Sequence, residues 1–216
     1  MHVGILGGTG PAGRGVALRL AVGGTNVTLG SRDAERAREV ADSLRAAWPD
    51  RELAITGADN ATAAGADVVI VATPWDSAVA TVKALRAELA GKVVCSMANA
   101  LVKEGREMLA LVPPRGSVAA HIAAALPDSL VSASLHHLPA AGMADLDSGL
   151  LADVLVCSDD KGATEATMAL VDSIEGLRAI DAGSLAQAEA IEAFTAVFIT
   201  VNIRYKAHST LRLGGL

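Results

Sequence analysis

The residues with the clearest chemical meaning lie near the amino terminus: Gly7-Gly8-Thr9-Gly10-Pro11-Ala12-Gly13. Gly8, Gly10 and Gly13 have the G-x-G-x-x-G spacing of a turn that holds a dinucleotide pyrophosphate. The pattern gains weight from its context, because it follows the apolar run Val3-Gly4-Ile5-Leu6 and opens an alanine-rich helical pattern. Gly8 is expected to permit the tight turn. Gly10 lets a backbone approach phosphate without a Cβ in the way, and Gly13 lets the helix pack close to the strand. Pro11 suits the first helical position, where its fixed φ is preorganised and its missing N–H costs little. A helix starting there presents free N–H groups and a partial positive charge to an anion.

The type of nucleotide is read about 20 residues further on, where the second strand of such a unit ends. The sequence there is Val27-Thr28-Leu29-Gly30-Ser31-Arg32-Asp33. A site for NAD(H) wants a carboxylate to accept from the ribose 2′-OH, and this chain offers Ser31 and Arg32 instead. Asp33 reads as the cap of the next helix. Arg32 and Arg36, one turn apart, can fork onto a 2′-phosphate. These residues select NADP(H). A later strand ends in Ala72-Thr73-Pro74-Trp75, so Thr73, Pro74 and Trp75 are expected to line the crevice, with Val79 one turn on facing the same space.

The elements that must position these groups follow from alternating patterns. Strands are expected near 2–6, 26–30, 53–56, 68–72 and 92–96, with helices near 11–22, 33–47, 60–64 and 76–89 between them. That alternation is the signature of a parallel sheet. The runs VVIVA and KVVCS are apolar without alternation, as in strands covered on both faces. Further on, a helix near 117–125, strands at 130–134 and 151–158, a short run at 177–181 and a long helix over 184–206 are expected. The division is therefore a nucleotide-binding domain over 1–160 and a small, mostly helical domain over 161–216.

Composition excludes several classes. Hydrophobic residues make up 51% of the 216, enough for a core and too many for a disordered chain. The formal charge is −6, which argues against nucleic acid as the main partner. The few aromatic residues leave no stacking platform for bases. Cys95 and Cys157 sit in strand-like runs and fit no disulfide framework; a reducing cytoplasm suits them. No spacing of His and Cys suggests a metal site, no apolar run is long enough to span a membrane, and the start of the chain does not read as a signal peptide.

Taken together, GGTGPAGRG, the LGSR segment with Arg36, TPW at 73–75, SLHHLPAA at 134–141 and RYKAH at 204–208 resemble the F420-dependent NADP oxidoreductases. The resemblance runs over nearly the whole chain. It implies a Rossmann-type, doubly wound, mainly parallel sheet with a small helical domain, and hydride transfer between NADP(H) and the deazaflavin coenzyme F420. It places pyrophosphate contacts on Thr9, Gly10, Pro11 and Ala12, and 2′-phosphate contacts on Ser31, Arg32 and Arg36. It places His136 beside the reacting rings, where a histidine can manage a ring proton near neutral pH, with Leu138 and Ala140 as the adjoining apolar wall. Thr195 and Leu211 correspond to deazaflavin contacts.

Glu189 and Ala193 depart from the family, which often carries a basic residue and a serine there. Two other functions share the same residues: an NADPH-dependent reductase of another small substrate, and a non-catalytic NADP(H) sensor. Arg204, Lys206, His208 and Arg212 make the carboxy-terminal end basic. Arg204, His208 and Arg212 would share one face if helical, either anchoring the charged tail of F420 or complementing a helix terminus. The long apolar helix suggests a homodimer.

Overall fold

The computed structural model describes residues 1–216. The chain runs β1 (His2–Leu6), α1 (Pro11–Val22), β2 (Asn26–Ser31), α2 (Ala34–Ala47), β3 (Ile55–Asp59), α3 (Asn60–Ala64), β4 (Val68–Val71), α4 (Trp75–Ala84), α5 (Arg86–Leu89) and β5 (Val93–Ser96). A hairpin follows, β6 (Leu101–Glu104) and β7 (Glu107–Ala110). After it come α6 (Val118–Ala125), β8 (Leu130–Ala133), α7 (Ala140–Ala144), β9 (Ala152–Ser158), α8 (Lys161–Asp172), β10 (Leu177–Asp181) and α9 (Ala188–Tyr205).

Eight strands form one sheet in the order β3-β2-β1-β4-β5-β8-β9-β10. The first six are parallel, β9 runs antiparallel to β8, and β10 is parallel to β9. The register places Val3 between Val27 and Val68. All four residues of β4 are buried, because helices cover both faces of the sheet. On one face Leu18 and Leu20 of α1, Val40 of α2 and Leu170 of α8 fill the core. On the other, Ala63 of α3, Val82 of α4, Ile122 of α6 and Ile191 of α9 do so. This is the doubly wound architecture the alternation implies. Successive crossovers diverge between β1 and β4, which opens a crevice at the carboxyl ends of those strands.

Two expectations change, and one stretch with no expected element forms one. Residues 97–112 hold the β6–β7 hairpin, closed by Gly105 at a φ of 56° and Arg106. Its strands are too short and too polar to stand out as a pattern, and they form because α9 lies across them, with Thr200 Oγ1 accepting from Met108 N at 2.9 Å. The helical stretch near 76–89 is two helices, interrupted at Leu85. The boundary expected after residue 160 falls inside the sheet, since α8 packs on it and β10 extends it through five pairs with β9. The outer helical segment begins only after residue 184.

A buried carboxylate fixes α9 to this frame. Glu192, 4% exposed, accepts from Val118 N at 2.8 Å and Ala119 N at 3.0 Å, the first two N–H groups of α6. Ser117 Oγ accepts the next, from Ala120 N at 3.0 Å, so the helix start is closed by the two side chains together. Burial pushes the Glu192 carboxyl up from 4.5 to about 7, against the pull of its two N–H donors. A raised acid favours the folded state most when protonated, so its contribution is fully present below pH 4.5 and is lost as pH rises to 7. The stability difference between wild type and Glu192→Gln is expected to change by about 3 kcal/mol across that window, to the disadvantage of wild type at high pH. Paired denaturation curves from pH 4 to 8 test this, and a difference that does not vary with pH contradicts it.

Candidate active site

The turn after β1 is shaped by backbone contacts. Gly7 has a φ of 67°, a left-handed conformation that glycine adopts without strain, so the tight turn rests on Gly7 rather than on Gly8. Gly8 lies beneath the turn. Its N–H reaches the carbonyls of Ile5 (3.1 Å) and Gly30 (2.9 Å), and a Cβ there would sit 2.8 Å from Ile5 O. A Cβ on Gly13 would lie 2.8 Å from Gly8 Cα, which is the close helix–strand approach expected of that position. α1 begins at Pro11 with no side chain capping it, so its first N–H groups face the crevice unshared.

The crevice has a volume of about 850 Å³. Thr9, Gly10, Pro11 and Ala12 line its middle, above β1. Ser31, Arg32 and Arg36 line the side above β2, and Thr73, Pro74 and Trp75 the side above β4. Asp33 caps α2, its carboxylate accepting from Glu35 N at 3.0 Å and Arg36 N at 3.2 Å. It is thereby engaged away from any ribose, and Arg32 and Arg36 make no ion pair with any acidic side chain. The cation pair is therefore free to meet an anion from outside.

Other residues lie elsewhere. Val79 packs on the core beneath α4, while Ser77, Ala80 and Thr81 of the same helix line the crevice, because a helix turns successive residues by about 100°. Leu138 packs against the core, Ala140 starts α7, and neither lines this cavity. Thr195 is 2% exposed and donates to Ile191 O of its own helix at 3.2 Å. The Leu211 carbonyl accepts from Asp153 N at 2.8 Å, which lays the carboxy-terminal segment along β9. α9 ends at Tyr205, and Lys206 follows at a φ of 51°. Arg204, His208 and Arg212 therefore share no helical face; Arg204 pairs with Glu107, and Arg212 lies 3.9 Å from Asp153.

Several residues of the site carry no pattern of their own. Asn60, just past β3, accepts from Gly7 N at 3.2 Å through Oδ1 and lines the crevice. Arg14 Nε donates to Thr9 O at 2.7 Å and braces the turn from α1. Met97, Ala98 and Asn99, past the end of β5, form the wall beyond Thr73. Their position after a parallel strand was the available signal, since ligands gather at those strand ends.

The family model for "NADP oxidoreductase coenzyme F420-dependent" matches residues 2–100. The F420-dependent NADP reductase of Methanocaldococcus jannaschii is 38% identical over 215 residues, covering 97% of this chain and 96% of that protein. The chain belongs to the F420-dependent NADP reductase family. The F420-dependent NADP reductase of Methanothermobacter marburgensis is 34% identical, over 94% of this chain and 93% of that protein. A crystal structure from Arthrobacter sp. FB24, described as an F420-dependent NADP reductase, superposes with a TM-score of 0.80 at 26% identity. It covers 98% of this chain and 99% of that one.

In this member of the F420-dependent NADP reductase family, His136 and His137 lie just past β8, each 4% exposed. Neither ring has a hydrogen-bond partner. His137 stacks on Phe198 of α9, with ring centres 5.7 Å apart. Burial, reinforced by the neighbouring His137, pushes His136 down to about 3; burial lowers His137 to about 4. Both rings are thus neutral near pH 7, and His136 offers one donor and one acceptor rather than a cation. Histidine carbon-bound proton resonances followed by NMR are expected to show no titration of His136 between pH 5 and 8. A midpoint near 6.5 for that residue contradicts this environment.

Proposed function

We propose that this chain transfers a hydride between NADP(H) and coenzyme F420. The observation that carries the NADP(H) assignment is the end of β2, where Ser31, Arg32 and Arg36 face the crevice and the nearest carboxylate, Asp33, is spent on capping α2. The crevice, about 850 Å³, also has room for a dinucleotide, and no protein atom but Gly7 O, at 3.8 Å, approaches where a Cβ on Gly10 would lie, so that space is left to a ligand. The F420 assignment rests on membership of the family.

In this reading the α1 turn binds the pyrophosphate through Thr9, Gly10 and Ala12, with Pro11 setting the helix start. Arg32 and Arg36 fork onto the 2′-phosphate, assisted by the Ser31 hydroxyl. Trp75, 37% exposed at the rim, covers the nucleotide with its indole. When both partners are bound, a hydride passes between the nicotinamide and the deazaflavin, and a proton enters or leaves on the deazaflavin. The protein's task is to orient the two rings and to keep water from the transfer. His136 supplies a neutral hydrogen-bonding group beside them. Leu138 and Ala140 supply apolar contact and Leu211 completes the F420 side from the tail, while Thr195, buried with its hydroxyl on Ile191 O, backs that side from within α9. Cys95 and Cys157, buried with thiols pushed up to about 12, are chemically quiet and suit a reducing cytoplasm.

A second copy of the chain is inferred to cover the outer face of α9, where Phe194 and Val197 are exposed, as is Leu109 of the hairpin on which α9 packs. Light scattering on the purified protein is expected to return twice the chain mass, and a monomer at micromolar concentration counts against it.

Mixing the protein with NADPH and F420 is expected to bleach the oxidised deazaflavin absorbance, and NADH is expected to do so far more slowly. Arg32→Ala should raise the KM for NADPH by about 10- to 100-fold, the scale of lost hydrogen bonds to a charged group, and leave NADH use nearly unchanged. NADPH binding without turnover of F420 would leave the reductase of another substrate or the sensor.

A further inference from the structure

Seven buried side-chain atoms have no hydrogen-bond partner: Thr73 Oγ1, Ser96 Oγ, Asn99 Oδ1, and both ring nitrogens of His136 and His137. They are not scattered. Thr73 follows β4, Ser96 ends β5, Asn99 lies three residues beyond it, and the two histidines follow β8. These three strands are neighbours in the sheet, so the unpartnered atoms gather at one carboxyl edge. Native interiors leave few polar groups unpaired. Such a group at the end of a cleft marks a place where a ligand supplies the missing partners.

Thr73 and Asn99 are the two of these residues that line the crevice. Asn99 Nδ2 donates to the His136 carbonyl at 3.2 Å. A carbonyl only accepts, so this bond fixes which end of the amide is which and leaves Oδ1 as the unused acceptor. The bond also holds a strained turn: Leu135, next to His136, has a φ of 65°, which a branched side chain rarely adopts. Asn99 thus joins the wall of the nucleotide crevice to the histidine pair, which itself lies outside that cavity.

We propose that Asn99 recognises the nicotinamide, its Oδ1 accepting from the carboxamide NH₂ while its Nδ2 keeps the His136 turn in place. The inference rests on the NADP(H) reading of the cleft. With the 2′-phosphate end above β2 and the pyrophosphate above β1, the nicotinamide end falls beyond β4, at this edge. An unused acceptor calls for an N–H donor, and the carboxamide is the one such group on an oxidised nicotinamide ring.

The test compares equilibrium binding of NADP⁺ with binding of its 3-acetylpyridine analogue, in which a methyl group replaces the NH₂. Wild type is expected to favour NADP⁺ by about tenfold, the scale of one buried hydrogen bond with its partner left unmet. Asn99→Ala should bind the two alike, within about twofold. Adenosine 2′,5′-bisphosphate, which lacks the nicotinamide, should bind wild type and variant equally and shows that the fold is intact; Asn99→Ser serves if the alanine variant does not fold. Wild type that does not distinguish the two dinucleotides overturns the proposal. So does a variant that keeps the wild-type preference, or one that loses the bisphosphate as well. Wild type that binds the dinucleotides but not the bisphosphate removes only the 2′-phosphate assignment, whereas wild type that binds none of the three ends the NADP(H) reading itself.

Discussion

The close approach of α1 to the end of β1 is the constraint on which the site depends. A Cβ on Gly13 would press against Gly8, and one on Gly8 would press against Ile5 and Leu29. With hydrogen in those places, the helix start lies directly over the strand end and its free N–H groups open into the crevice. Asn60 and Arg14 hold the turn from opposite sides, through Gly7 N and Thr9 O. A helix even slightly displaced would still pack on the sheet, but its positive end would no longer open over the strand end into the crevice.

The second half of the chain is tied to this frame by charged groups that bond mainly to backbone. From α1, Arg19 donates to the carbonyls of Gly142 (2.9 Å), Met143 (3.0 Å), Asp145 and Ser148 (3.0 Å), closing the end of α7 and the loop after it. Asp153, wholly inaccessible, takes two bonds of 2.8 Å from Arg178 and one from Leu213 N, and these donors hold its carboxyl down at about 2. Arg178 in turn donates to Leu213 O and Leu216 O, so the tail is laced to β9 and β10. Glu192 does the same for α9 at the start of α6. A buried charge or carboxyl without a partner is costly, so Asp153 and Glu192 each demand one arrangement of the backbone around them. Flexible tethers of apolar contact alone would not be so selective.

Charge is used locally in a chain that is acidic overall. Arg32 and Arg36 remain unpaired while most other arginines near carboxylates are engaged, as Arg38 is with Glu35 and Arg86 with Asp128. The contrast separates two cations left free at the crevice wall from those that serve the surface. The histidine pair shows the opposite device, with two ionisable rings past β8, outside the crevice, kept neutral by burial.

Much of this was legible in the amino-acid order because it depends on neighbours a few residues apart. The glycine spacing, Pro11 at the helix start, the cap at Asp33, the unbroken apolar strands and the arginines past β2 are all local, and each sets its own geometry. The β6–β7 hairpin was not legible, because four-residue strands take their shape from α9 packed across them. The run at 177–181 was legible, but its place as the edge strand β10 was not, because that depends on pairing with β9. The positive φ at Gly7 rather than Gly8, the inward turn of Val79, and the bond from Asn99 to His136 depend on which surfaces meet once the sheet is assembled. The sequence by itself determined the parallel sheet, the glycine turn after β1 and the pair of arginines past β2. Only the tertiary structure decided which polar atoms at the crevice edge remain unpartnered, because that depends on distances between residues that the chain brings together from far apart.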